Sequence, residues 1–146
     1  MKNALIVWGG WDGHEPKQCA DLFAAKLSAR GFQVDVANTL DAFNDAARLS
    51  SLSLIVPIWT CGTLTNEQGK NVVDAVSSGV GLAGFHGGMC DAFRGNIDWQ
   101  WMTGGQFMSH PDNVKEYTIN IVNKTDPITA GIADFKVRSE QYYMLV

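Results

Sequence analysis

Ala4-Leu5-Ile6-Val7-Trp8-Gly9-Gly10 opens the chain as a short apolar run stopped by two glycines. A run of this length between turn residues reads as a buried strand. The figure recurs downstream. Leu52 to Trp59 is a second apolar run, and Pro57 is expected at its carboxyl end because proline donates no ladder hydrogen bond. Val80 to Phe85 is another, with glycines that suit close packing against a helix, and Phe32 to Ala37 alternates as a further strand. Helical patterns fill the gaps. Pro16 suits a first turn, Cys19, Ala20, Phe23, Ala24 and Leu27 share one face, and Gly31 closes it. Asp41 to Leu49 reads as a short helix capped by Asp41. Thr65-Asn66-Glu67-Gln68 matches a capping box before the stripe Val72, Val73 and Val76, with Gly79 as the stop. Strand and helix alternating through short connections predict an α/β fold with a mostly parallel, doubly wound sheet.

The pattern changes after His86. Residues 87–113 are glycine-rich and carry Phe93, Trp99, Trp101 and Phe107, which predicts a short helix and then a long ordered loop. Glu116 to Val122 alternates as a strand, Asp126-Pro127 marks a turn, and Phe135 to Val137 and Gln141 to Val146 read as two short strands. Neither an internal repeat nor a low-complexity segment interrupts the chain. The final run, Tyr142-Tyr143-Met144-Leu145-Val146, has no turn or helix after it. The expectation is one α/β domain over 1–146, incomplete at its carboxyl end and cut from a longer natural chain.

The 146 residues suit one domain with an ordinary core. Apolar content of 46% and charged content of 18% describe a globular chain, not a disordered one. The net charge of −4, without a basic cluster, argues against nucleic acid and anionic membrane as partners. Cys19, Cys61 and Cys90 form no CxxC motif, so reduced thiols are expected. No signal-like or membrane-length apolar run is visible, and a cytoplasmic protein is expected.

His14, His86 and His110 all lie in glycine-rich stretches that follow strand-like segments. In a parallel α/β sheet the loops past the carboxyl ends of the strands form the ligand crevice, and imidazole suits proton transfer near neutral pH. His86, between a tight strand and Gly87-Gly88, has the setting of a nucleophile elbow, a position that usually presents Ser or Cys. A histidine bonded only to loop backbone is the plain alternative. Cys90, four residues on, reads as a buried thiol or as one activated at a helix start. Pro111 biases His110 to an extended loop backbone. His14 either caps the first helix or reaches substrate. Glu140 is a solvated turn, a general base, or an orienter of a histidine. Three histidines and a carboxylate also suit a divalent metal, although no HxH or HExxH spacing supports it. Trp11, Trp59, Trp99 and Trp101 fall near loop ends, where rings stack on sugars or pack in the core. A P-loop, a complete GxGxxG and a GxSxG elbow are all missing.

These stretches resemble the trehalose-utilisation (ThuA-like) proteins of the class I glutamine-amidotransferase-like superfamily. The resemblance rests on Ala4 to Gly10 with His14, on Gly84-Phe85-His86-Gly87-Gly88, and on Gly104-Gly105-Gln106-Phe107 through His110-Pro111. It continues through Asp126-Pro127-Ile128-Thr129-Ala130-Gly131-Ile132 and Ser139-Glu140-Gln141-Tyr142-Tyr143. It implies a three-layer flavodoxin-like sandwich in which His86 replaces the amidotransferase cysteine, so glutamine hydrolysis is not expected. It also implies a role in sugar catabolism beside a sugar oxidoreductase. The expected catalytic residues are His86, His110 and Glu140. The expected substrate contacts are His14, Trp11, Asp12, Trp59, Gln106 and Tyr142. The leading expectation is an enzyme on a sugar or keto-sugar, with a small carbohydrate as ligand and a homo-oligomer as one assembly. A non-catalytic carbohydrate-binding module and a divalent-metal hydrolase are the alternatives.

Overall fold

The computed structural model describes residues 2–146, folded as two compact units that divide at Phe107 and Met108. The first unit carries β1 (Lys2–Gly10), α1 (Pro16–Ser28), β2 (Phe32–Ala37), α2 (Ala46–Ser50), β3 (Leu54–Thr60), α3 (Asn66–Ser77), β4 (Gly81–Leu82), α4 (Gly87–Cys90) and α5 (Ile97–Thr103). Its four strands form a parallel sheet in the order β2-β1-β3-β4. Alternation along β1 sorts the two faces. Leu5 and Val7 join Phe43, Leu49, Ile55, Val72 and Trp99 in one core cluster, on the side of α2, α3 and α5. Ile6 joins Ala20, Val56 and Ile58 in the other, against α1. Each fully buried Leu, Ile or Val contributes about 1.5–3 kcal/mol. The result is the three-layer α/β sandwich of flavodoxin type. The chain leaves β1 for β2 on one side and reaches β3 on the other, so the strand order reverses between β1 and β3. The crevice outside the carboxyl ends of such neighbours is where open α/β sheets bind ligands.

Several elements differ from the sequence expectation. Pro57 sits in the middle of β3, opposite Val7 of β1. Its nitrogen lies on the β4 side. Ile55 accepts from the Ala83 N–H there (3.1 Å) and Thr60 accepts from the Trp11 N–H on the β1 side (3.1 Å), and successive residues alternate between sides. β4 pairs only Leu54 and Ile55, so at Pro57 no ladder donor is needed. β4 is correspondingly two residues long, and the chain turns into α4. The single helix expected from Asp41 is split. Thr39 caps a 3-10 turn over Leu40–Phe43, and Asp45, extended, caps α2 by accepting from the Arg48 N–H (2.9 Å). Short polar side chains that bond nearby backbone compete with a continuous helix. The expected long loop contains α5, capped by Asn96, whose side chain accepts from the Trp99 N–H (2.8 Å).

The second unit, Met108 to Leu145, is built on β6 (Val114–Ile119) and β7 (Phe135–Glu140), an antiparallel pair running from Val114↔Glu140 to Ile119↔Phe135. β5 (Gln106–Ser109) leads into it and β8 (Tyr143–Leu145) ends it. Among the described residues no helix is long and apolar enough to cross a membrane.

Candidate functional site

In the first unit the loops after β1, β3 and β4 meet at the carboxyl edge of the sheet. After β1, Gly10 has φ 79, and a Cβ there would overlap the Thr60 carbonyl oxygen. This glycine therefore lets the loop approach β3 closely enough for the Trp11 N–H to donate to Thr60 O at 3.1 Å. Asp12 to His14 form a 3-10 turn that Glu15 closes, its N–H donating to the Asp12 carbonyl at 2.9 Å. The turn presents His14 inward, with Nδ1 at 2.9 Å from the Thr60 hydroxyl oxygen. Trp11 meets the His14 ring edge-on at 4.6 Å between centroids and is itself 55% exposed. Asp12 is exposed.

His86 stands at the turn from β4 into α4 with φ 52 and ψ −143. A residue other than glycine in this sparsely populated region costs about 1–3 kcal/mol, and such residues cluster at functional sites. The strain is held from both sides. Phe85 packs on Phe23 of α1 at 5.2 Å, and the His86 carbonyl accepts from the Cys90 N–H at 3.1 Å, starting α4. The His86 ring is exposed and lies edge-on to His14, with centroids 4.9 Å apart. Gly87 is required here because a Cβ would stand 2.7 Å from His14 Cε1. One ring nitrogen of His14 and one of His86 lie within 4.8 Å of each other, so the pair could supply two of the ligands of a tetrahedral divalent cation.

Below this edge lies a carboxylate that sequence reasoning missed. Asp91 is buried and holds Arg94 by a fork, Arg94 Nε to Oδ1 and Nη2 to Oδ2 at 2.9 Å. The Cys61 N–H donates to the Asp91 carbonyl at 3.0 Å, which ties the β3 loop to the segment after α4. Burial first, then the Asp91 charge, pushes the Cys90 thiol above its ordinary value. The Cys61 thiol is raised by the same two causes, opposed in part by Arg94. The activation of Cys90 weighed from a helix start is therefore not realised. Trp59 and Trp99 are core residues. Trp59 is half-buried against the cluster under β3, and Trp99 is 2% exposed with its Nε1–H donating to Met89 O at 3.1 Å. Gln106 is half-buried at the start of β5.

The second unit makes its own cluster. His110 lies in the turn before β6, and the register Val114↔Glu140 sets Glu140 at the base of that turn. His110 Nε2 is 3.6 Å from Glu140 Oε1, both side chains being partly shielded. Tyr142 stacks on the His110 ring at 6.3 Å, and the Tyr117 hydroxyl donates to the Glu140 carbonyl at 3.0 Å. Glu140 thus ends a strand and partners a histidine, instead of occupying a plain solvated turn.

Two groupings result: His14, His86, Trp11 and Thr60 in the first unit, and His110, Glu140 and Tyr142 in the second. Thr60 was not among the expected residues. Its signal was faint, a hydroxyl ending an otherwise apolar strand.

The family model described as trehalose utilisation, ThuA, matches residues 3–146. No curated protein matches the chain. A crystal structure of a ThuA-like protein from Bacteroides uniformis ATCC 8492 superposes with a TM-score of 0.79 at 20% identity. The match covers 98% of this chain and 61% of that one, so the present chain spans about three fifths of the length of that relative. At this identity the likeness establishes the fold.

Proposed function

This chain belongs to the ThuA family of trehalose-utilisation proteins, and from that premise we propose an enzyme of sugar catabolism that acts on a sugar or keto-sugar by histidine–carboxylate acid–base chemistry. The observation that carries the reading is His86, an exposed imidazole held at φ 52 on a strand-to-helix turn with a second imidazole 4.9 Å away. A strained elbow that presents a base instead of a thiol suits proton transfer and not amide hydrolysis through a thioester. His110 is the second proton carrier, with Glu140 as its orienting carboxylate at 3.6 Å. His14, Trp11, Asp12, Gln106 and Tyr142 are assigned to sugar contact. Trp59 keeps that assignment only through the edge of its half-buried ring.

In a keto-glycoside the C–H beside the ketone is acidic. The base takes that proton, the electron pair forms a C=C bond, and the glycosidic C–O bond breaks. The departing oxygen takes a proton from the acid. The substrate, a small carbohydrate, would come from a sugar oxidoreductase that makes the ketone.

Each positioned acid or base typically contributes ~10²–10⁴-fold. His86→Ala and His110→Ala are expected to lower turnover of keto-glycosides by about that factor. Turnover equal to the parent in both variants would abandon the mechanism. Sugar-induced thermal stabilisation without product would leave a binding module in its place. The His14–His86 nitrogen proximity also favours a second reading, a hydrolase dependent on a divalent metal. Stoichiometric metal in the purified protein, with activity lost to a chelator, would select it.

A further inference from the structure

We infer that Gly13 is a positioning residue for Trp11: its missing side chain leaves the place in which the indole lies, over the turn and edge-on to His14, as a plate for the apolar face of a sugar ring. The sugar rests on the function proposed above; the placing of the indole by Gly13 does not.

Glycine is a poorer choice than alanine inside a helical turn, because it loses more backbone freedom on folding. Gly13 stands within the 3-10 turn Asp12–His14 and lacks the positive φ that calls for glycine at Gly10. The backbone therefore gives no reason for glycine here, and the reason is space. A Cβ on Gly13 would stand 2.3 Å from Trp11 Cζ2 and 2.6 Å from both Cε2 and Cη2. These are three successive atoms of the benzene half of the indole. An approach along the ring plane would leave the outer two much farther away than the middle one, so the near-equal distances put Gly13 over the face of the ring. The Trp11 backbone is pinned, its N–H donating to Thr60 O at 3.1 Å and its carbonyl accepting from the His14 N–H at 3.3 Å. What remains to give way is the Trp11 side chain, and the residue is 55% exposed. A methyl group at position 13 thus turns the indole off its seat and leaves the turn as it is.

A seated indole suits a sugar. Stacking uses the C–H face of a pyranose, and a plate already held in place has little side-chain freedom left to lose on binding. Asp12 is exposed on the same turn, and a carboxylate accepts from sugar hydroxyls.

The test is a double-mutant cycle on Gly13→Ala and Trp11→Ala, read by proton NMR of the His14 ring and by kinetics with keto-glycosides. The His14 ring signals, assigned by their loss in His14→Gln, feel the indole that meets the imidazole edge-on. Gly13→Ala should move them in the direction that Trp11→Ala does, raise KM several-fold with a smaller effect on kcat, and resist denaturant as well as the parent. In the Trp11→Ala protein, Gly13→Ala should add little to either readout. Unmoved His14 signals overturn the inference, and so do equal effects of Gly13→Ala in the two backgrounds. A Gly13→Ala protein that does not fold also overturns it, since the turn and not the indole would then have yielded. Moved signals with an unchanged KM leave Gly13 in its role and overturn the plate. If the parent does not turn over keto-glycosides, the sugar reading fails while the His14 signals still answer for Gly13.

Discussion

Cys90 follows His86 by four residues, yet its chemistry is opposite to that of an elbow nucleophile. Burial and the neighbouring Asp91 carboxylate both favour the neutral thiol. Alkylation of Cys90 by iodoacetamide at neutral pH should therefore be slower than that of a free cysteine. A rate equal to or above the free thiol's would contradict this environment. The raised thiol also has a linkage sign. A group that binds its proton more tightly when folded leaves stability intact below its ordinary value and removes it as pH rises through the thiol range. The parent should thus lose more stability than Cys90→Ser on going into alkali. At this scale the sequence was partly legible. His14, His86, His110 and Glu140 could be picked out from residue type and glycine context. The contacts that give them roles could not, because the His14–Thr60 bond joins positions 46 residues apart.

At the scale of elements, α5 shows both what periodicity can read and what it cannot. Strands β1, β2 and β3, helix α1 and the Thr65 capping box were legible because each is a full pattern within a few residues. α5 spans seven residues between Gly95 and Gly104, too short for its stripe to stand out from a glycine-rich stretch. Its weight lies in Trp99, which is buried edge-on against Phe93 at 4.7 Å and bonds Met89 O. Trp99→Ala should destabilise the protein by about 3–5 kcal/mol in chemical denaturation. Trp99→Phe should keep part of the packing and lose the bond, for a smaller effect. A near-neutral Trp99→Ala would mean that α5 does not hold this side of the core. The split of the Asp41 segment was illegible for another reason. Thr39, Asp41 and Asp45 are all good caps, and sequence alone does not rank them.

For the molecule as a whole, the two units differ in how they bury their backbone. β1 and β3 run through the centre of the sheet with Leu5, Ile6, Val7 and Ile55 at 0% exposure. Among the described residues from Met108 to Leu145 none is buried, and Val122 and Ile128 are almost fully exposed. Opening free energy follows local burial. Hydrogen exchange should therefore be slowest in β1 and β3 and clearly faster in β6 and β7. Equal protection in the two pairs would overturn that ordering. The alternation of strands and helices made the first unit legible as a parallel α/β layer. The second unit lacks that rhythm, and only its strand alternation was readable.

Pro57 has one consequence beyond the ladder it interrupts. Past Ile55, among the described residues, β3 has no strand beside it on the β4 side, which is the kind of bare rim that invites a stray polypeptide to zip on. With no N–H at that step, an intruder finds a missing rung, and Gly88 of α4 rests against Ile58 just beyond it. The sheet can therefore stop short here, leaving its end open for chemistry without also offering a seed for self-association.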